Sequence, residues 1–167
     1  MRQQIILSGT GGQGILFLTR FFAEAAVAMR LEVLTSEIHG MAMRGGTVVS
    51  HVKVGAFKSP LVREGQADVG LILNKQNLVL HKKLVKPDGL LFVNSDAAGE
   101  YFSIDASKLA IGAGSPAMAN LILLGFAMKQ RGFFCEAEVA RKVLKTLSPP
   151  AHLQLNLKGF DIGYTST

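Results

Sequence analysis

Cysteine is nearly absent from this chain of 167 residues, where Cys135 stands alone. One thiol cannot build an internal disulfide framework, and by itself it holds neither an iron–sulfur cluster nor a structural zinc ion. A reducing, cytoplasmic setting is the expectation. Tryptophan is missing and tyrosine occurs twice, which leaves no aromatic platform for stacking bases. The Lys and Arg residues are scattered, so nucleic acid is not an expected partner. Charged residues of both signs make up only 18%, against 49% hydrophobic, and that apolar surplus suggests a subunit with large covered faces. Long apolar runs are also lacking. Arg20 and Glu24 interrupt the first candidate and the run from Met118 to Met128 is too short to span a bilayer, so no membrane partner is expected. Nor does the start read as a signal peptide, because Arg2 is followed by a short strand and a glycine turn.

The charge that is present is unbalanced. Eighteen basic residues face twelve acidic ones, giving a net charge of +6, a field that keeps a chain soluble and also attracts anionic ligands or acidic proteins. Residues 1–167 show no repeat and no linker, and a single domain of this length buries enough surface to fold without staples.

The stretch most rich in information is Ile5-Ile6-Leu7-Ser8-Gly9-Thr10-Gly11-Gly12-Gln13-Gly14-Ile15. An apolar strand enters a turn with glycine at Gly9, Gly11, Gly12 and Gly14, and an apolar helix from Leu16 to Met29 follows at once. Such a turn exposes backbone N–H groups at the positive end of a helix, which suits phosphate. The alternative is that the glycines let the helix pack close to the sheet.

Further along, Leu31 to Thr35 reads as a strand, making the start a βαβ unit, and Ser36 to Gly46 as a long polar loop at a strand end, where α/β folds bind ligands. Thr47–Val54, Asp68–Leu73, Leu90–Asn94 and Tyr101–Ile104 read as strands, Asn77–Val85 as a helix, and Lys86-Pro87-Asp88-Gly89 as a turn. Ala106 to Ile111 fits helix or strand. Ser115 and Pro116 are placed to start an apolar helix over Ala117–Arg131, an amphipathic helix covers Glu136–Leu147, and a short one follows around Leu153, Leu157 and Phe160. Gly9, Gly11 and Gly14 also satisfy the dinucleotide fingerprint, with Glu37 roughly where a ribose-binding acid belongs. A stand-alone NAD- or FAD-binding module is therefore one reading.

A second glycine loop directly after the second strand is foreign to that fingerprint. The pattern Gly9-x-Gly11-Gly12-Gln13-Gly14-Ile15, then Glu37-x-x-Gly40-Met41-Ala42-x-Arg44-Gly45-Gly46-x-Val48, then Ser50-His51-Val52, Ser59-Pro60 and Ala67-Asp68 resembles the gamma subunit, or gamma domain, of the 2-oxoacid:ferredoxin oxidoreductases. That family includes enzymes acting on pyruvate, 2-oxoglutarate, branched-chain 2-oxoacids and indolepyruvate. The likeness runs nearly the whole chain, with later echoes at Ser115-Pro116, Asn120 and Leu124-Gly125, and Met43 stands where the family usually carries glutamine.

The resemblance implies a three-layer, Rossmann-like α/β fold with a mostly parallel or mixed sheet and helices on both faces. It also implies an enzyme that decarboxylates a 2-oxoacid on thiamine diphosphate, sends electrons through iron–sulfur clusters to ferredoxin and hands the acyl group to coenzyme A. This chain has no G-D-G thiamine motif and only one cysteine. Thiamine diphosphate and the clusters are therefore expected on alpha, beta and cluster-bearing delta-type partners. Left to this chain are assembly and coenzyme A contact, with no catalytic residue and no metal.

Expected cofactor contacts are Gly9, Gly11, Gly12, Gln13, Gly14, Glu37, Gly40, Met41, Arg44, Gly45 and Gly46. Gly11, Gly12 and Gly14 would donate backbone N–H groups. Arg44 would pair with ligand charge or with a partner subunit, Gln13 would donate to ligand or fix the turn, and Glu37 would orient the Arg44 loop by a salt bridge. His39 and His51 read as structural hydrogen-bonding residues, Met41 and Met43 as packing or partner-contact residues, and Asn120 as a cap on a neighbouring loop. A purely structural spacer, whose glycine loops serve assembly alone, is the remaining reading.

Overall fold

The computed structural model describes residues 1–40 and 45–167. A six-stranded sheet with order β2-β3-β1-β4-β5-β6 organises the chain. Its strands are β1 (Gln3–Thr10), β2 (Val33–His39), β3 (Thr47–Val54), β4 (Ala67–Ile72), β5 (Val85–Asn94) and β6 (Phe102–Ile104). β1 lies at the centre, which is why Ile5, Ile6 and Leu7 form an unbroken apolar run that is buried on both faces. β4 pairs with it in parallel, β5 with β4 and β6 with β5, while β3 runs antiparallel to both β1 and β2. Two consequences matter for function. The β1–helix–β2 crossover is parallel, but β3 is inserted between its strands. And because Thr10 pairs with Thr47, β3 begins at the edge where β1 ends.

Helices cover the two faces unequally. One face carries α1 (Ile15–Ala28), α3 (Ala106–Gly112), α4 (Ala119–Lys129), α5 (Ala137–Leu147) and α6 (Leu153–Thr165) over a core that includes Leu7, Phe21, Phe22, Leu71, Phe92, Leu123 and Phe160. α4 is apolar around its whole circumference because it is covered all round, with every residue from Asn120 to Met128 buried. Among the described residues, the opposite face has only α2 (Leu78–His81), flanked by 3₁₀ turns, and the 55–66 loop over a smaller core of Ile6, Val49, Val62, Ile72, Leu91 and Val93. On that thinner side Val79 and Leu80 of α2 and Leu61 of the loop remain exposed.

Several elements differ from their sequence reading. β2 extends through Ser36, Glu37 and His39, which read as loop, because an edge strand with solvent on its flank accepts polar side chains. Lys86-Pro87-Asp88-Gly89 does not end a helix. The β4–β5 pairing passes from Ala67↔Val85 to Val69↔Leu90, so these residues form a bulge inside β5, the position in a sheet where a residue without an N–H is tolerated. The helix expected over Asn77–Val85 is a series of short turns over 75–84. Ala106–Gly112 resolves as a helix because Asp105 caps it, its carboxylate accepting from Lys108 N at 3.0 Å. Ser115 does precede Pro116 as expected, but its hydroxyl makes no capping hydrogen bond. α4 ends at Lys129, and beyond its cap Arg131 takes the left-handed conformation (φ 55), one residue before the expected Gly132.

Candidate functional site

The glycine turn sits at the C-terminal edge of the sheet, between β1 and α1. Gln13 locks its shape: its Oε1 accepts from Thr10 N at 2.8 Å and its Nε2 donates to Leu73 O at 3.3 Å, beyond β4. The side chain folds back over Gly9, where a Cβ would lie 2.8 Å from Gln13 Oε1. Gln13 therefore braces the turn, one of its two expected roles. Gly14 caps α1 in the left-handed region (φ 82), and a Cβ there would collide with the Asn120 amide. Asn120 reaches across from α4 to donate to Gly14 O at 3.4 Å, so it does brace a neighbouring loop.

The second glycine loop is the β2–β3 hairpin connection, and it lies against the first. Gly11 N donates to Gly46 O at 2.9 Å and Gly40 N to Thr47 O at 2.6 Å. This corrects one expectation: the Gly11 amide is committed to the partner loop and is not a donor for a ligand. Among the described residues, the N–H groups of Gly12 and Gly14 form no hydrogen bond, and no described atom lies within 4 Å of a Cβ built on Gly12 or Gly45. Open space and unbonded amides at a helix start fit an anionic group. Met41, Ala42, Met43 and Arg44 lie outside the described residues, and with them the expected Glu37–Arg44 salt bridge.

Glu37 is on β2, 3.9 Å from His39. With β3 interposed, it stands two strand spacings from β1, about 10 Å. In a dinucleotide fold the ribose-binding acid follows the strand next to β1, so the inserted strand removes Glu37 from that role and undercuts the NAD or FAD reading.

A polar cluster that sequence reasoning missed supports the turn from the thinner face. Asn77 Nδ2 donates to Gly9 O at 2.7 Å and to Ser8 Oγ at 3.2 Å, and Ser8 Oγ is 2.6 Å from His81 Nδ1. Asn77 and His81 are spaced one helical turn apart just after a buried strand, and that spacing is the sequence signal for the cluster. On the other face Thr19 Oγ1 of α1 donates to Ile15 O and lies 2.7 Å from the Ser50 hydroxyl, from which it accepts. His51 Nδ1 accepts from Val62 N at 3.1 Å and holds the 55–66 loop down, the structural role expected of it. Cys135 is buried, and burial pushes its thiol up to about 12, so it is an inert packing residue.

Desolvation lowers the pKa of buried His51, helped by His81 and Lys53, and of half-buried His81, helped by Lys83. Protonating His51 would also turn its Nδ1 from acceptor into donor against Val62 N–H. In the unfolded chain these groups titrate near 6.5, so below that pH the unfolded state binds more protons and stability falls as pH falls. Above it they contribute nothing. A melting series from about pH 8 to about pH 5 is expected to show that decline, with a shallower slope for His51→Asn, which keeps an acceptor near the Nδ1 position.

Known proteins bear on this arrangement. Residues 4–166 match the family described as pyruvate ferredoxin/flavodoxin oxidoreductase. Indolepyruvate oxidoreductase subunit IorB of Pyrococcus horikoshii is 30% identical over 95% of this chain and 93% of its own. The 2-oxoglutarate synthase subunit KorC of Methanocaldococcus jannaschii is 24% identical over 98% of this chain and 93% of its own. The solved gamma subunit of a keto/oxoacid ferredoxin oxidoreductase from Geobacter sulfurreducens superposes with a TM-score of 0.80 at 29% identity, covering 97% of this chain and 96% of that one. The match over residues 4–166, the 30% identity over 95% of the chain and the superposition over 97% of it mean that the chain belongs to the pyruvate ferredoxin/flavodoxin oxidoreductase family, as a gamma-type subunit of a 2-oxoacid:ferredoxin oxidoreductase.

Proposed function

We propose that this chain, as one gamma domain over residues 1–167, helps a cytoplasmic complex bind coenzyme A while converting a 2-oxoacid and coenzyme A to acyl-CoA and CO2. Thiamine diphosphate and iron–sulfur clusters sit on alpha, beta and delta-type partners, and ferredoxin takes the electrons. Coenzyme A supplies the thiol that accepts the acyl group. This chain supplies the cradle: Gly12 and Gly14 offer amides to the phosphates beside the start of α1, and Gly40, Gly45 and Gly46 shape the facing wall. Arg44, placed by sequence between Gly40 and Gly45, pairs with phosphate charge. The exposed Val79, Leu80 and Leu61 on the thinner side suit burial against a partner subunit.

The observation that carries this reading is the Gly11 N to Gly46 O bond, which joins the two glycine loops into one wall at the strand ends. Indolepyruvate is the first substrate to test, because the indolepyruvate relatives, at 26–30% identity, are closer than the 2-oxoglutarate ones, at 23–24%. Coexpression with the companion chains is expected to yield a complex that makes acyl-CoA from a 2-oxoacid, and omission of this chain to abolish that product. Full turnover without it would refute the reading.

A further inference from the structure

At the opposite end of β1 from the glycine loops, about 20 Å away by strand rise, a cleft of about 560 Å³ opens between the sheet and the 55–66 loop. Its walls carry four cations, Arg2, Lys53, Lys58 and Arg63, and a single acid, Glu64, whose carboxylate is already held by Lys83 at 2.6 Å. Among the described residues, no carboxylate lies within salt-bridge distance of any of the four. Lys53 is the informative member. Its side chain leaves β3 beside Gln4 of β1, and the residue is only 8% exposed. Its stem is covered while the residue lines the cleft, and holding an ammonium there without a counter-ion is unfavourable.

The surroundings increase that cost. Arg63 and Arg2 face Lys53 and, after burial itself, hold its pKa below the ordinary lysine value. Phe57 provides partial relief: the Arg2 guanidinium carbon lies 4.0 Å from the ring centroid and Lys53 Nζ lies 5.1 Å from it. A ring engaged by two cations offers no face for a nucleobase, but it holds those cations in place. Charges that are fixed, close together and lacking a counter-ion are organised in advance for a multivalent anion.

We propose that this cleft binds a small phosphate-bearing anion, held by Lys53 at its floor and by Arg2, Lys58 and Arg63 at its rim. The cleft's volume is in the range of small-molecule sites, and the recognised feature is clustered negative charge.

Pyrophosphate is the probe. Titrated into the full chain at low ionic strength, it is expected to raise the melting temperature and to protect Lys53 from an amine-reactive reagent read by mass spectrometry. Lys53→Met and Arg63→Gln are each expected to weaken pyrophosphate binding at least tenfold, whereas Lys108→Met, on exposed α3, leaves it unchanged. The same protection is expected in the assembled complex. Binding that survives both cleft variants would overturn the proposal. So would protection seen in the free chain but absent in the complex, since the cleft would then be filled by an acidic segment of a partner. Loss of coenzyme A binding through the glycine loops would leave these readouts untouched, so the two sites are tested separately.

Discussion

Gly163→Ala should lower the melting temperature by roughly 4–10 °C, although it replaces a helix-interior glycine with the best helix former. The propensity gain is at most about 1 kcal/mol. Against it, a Cβ at Gly163 would be driven into the Ile122 carbonyl and would lie 2.8 Å from Phe126 N. Both are backbone atoms of α4, so no rotamer change relieves the overlap and α6 must lift away from the helix it covers. Overpacking against backbone atoms lies at the upper end of the usual range, about 3 kcal/mol or more, which leaves about 2 kcal/mol or more after the propensity gain, and in a domain of this size each 1 kcal/mol moves the melting point by about 2–4 °C. Gly125 on α4 faces Phe160 and Tyr164 of α6 in the same way, and Gly125→Ala should behave alike. The control is Gly112→Ala in the last turn of α3, where no described atom lies within 4 Å of the new Cβ. There only propensity acts, and stability should hold or rise slightly. A scanning-calorimetry comparison of the three variants decides the matter.

Gly14→Ala should damage both stability and function. An L-residue at φ 82 pays about 1–2 kcal/mol for the left-handed backbone alone. The added methyl also meets the Asn120 amide, displacing the hydrogen bond to Gly14 O and the one from Leu121 N at 2.9 Å. Together these should cost roughly 2–4 kcal/mol. The double variant Gly14→Ala with Asn120→Ala removes the collision but not the backbone strain, so it should be more stable than the sum of the single variants. In the complex, Gly14→Ala should raise the KM for coenzyme A before it alters the KM for the 2-oxoacid. Strict additivity in stability would show that Asn120 and Gly14 do not contact each other.

What could be seen in the sequence divides along physical lines. The strand–turn–helix start was legible because glycines, apolar periodicity and a helix start are local, and Gln13 sits inside the turn it locks. β3 was recognisable as a strand from its alternation, but strand order depends on pairing between distant residues, and nothing in Thr47–Val54 announces that it will slide antiparallel between β1 and β2. The polar stretch Ser36–His39 imitated a loop because an edge strand is free of the burial that makes strands apolar. At the site, the supporting cluster joins Ser8 to Asn77 and His81 across 69 and 73 residues, a distance no motif spans. The commitment of the Gly11 amide was hidden for the same reason, since it depends on the two glycine loops lying side by side.

That pairing is the centre of the account. Its most direct test is coenzyme A affinity of the assembled complex, wild type against Gly12→Val, measured by titration with the melting temperature recorded in parallel. No described atom lies within 4 Å of a Cβ built on Gly12, whose φ is 91, so a branched side chain would fill the proposed cradle. The predicted result is a dissociation constant at least tenfold higher in a complex that still assembles. An unchanged constant in an intact complex would contradict it.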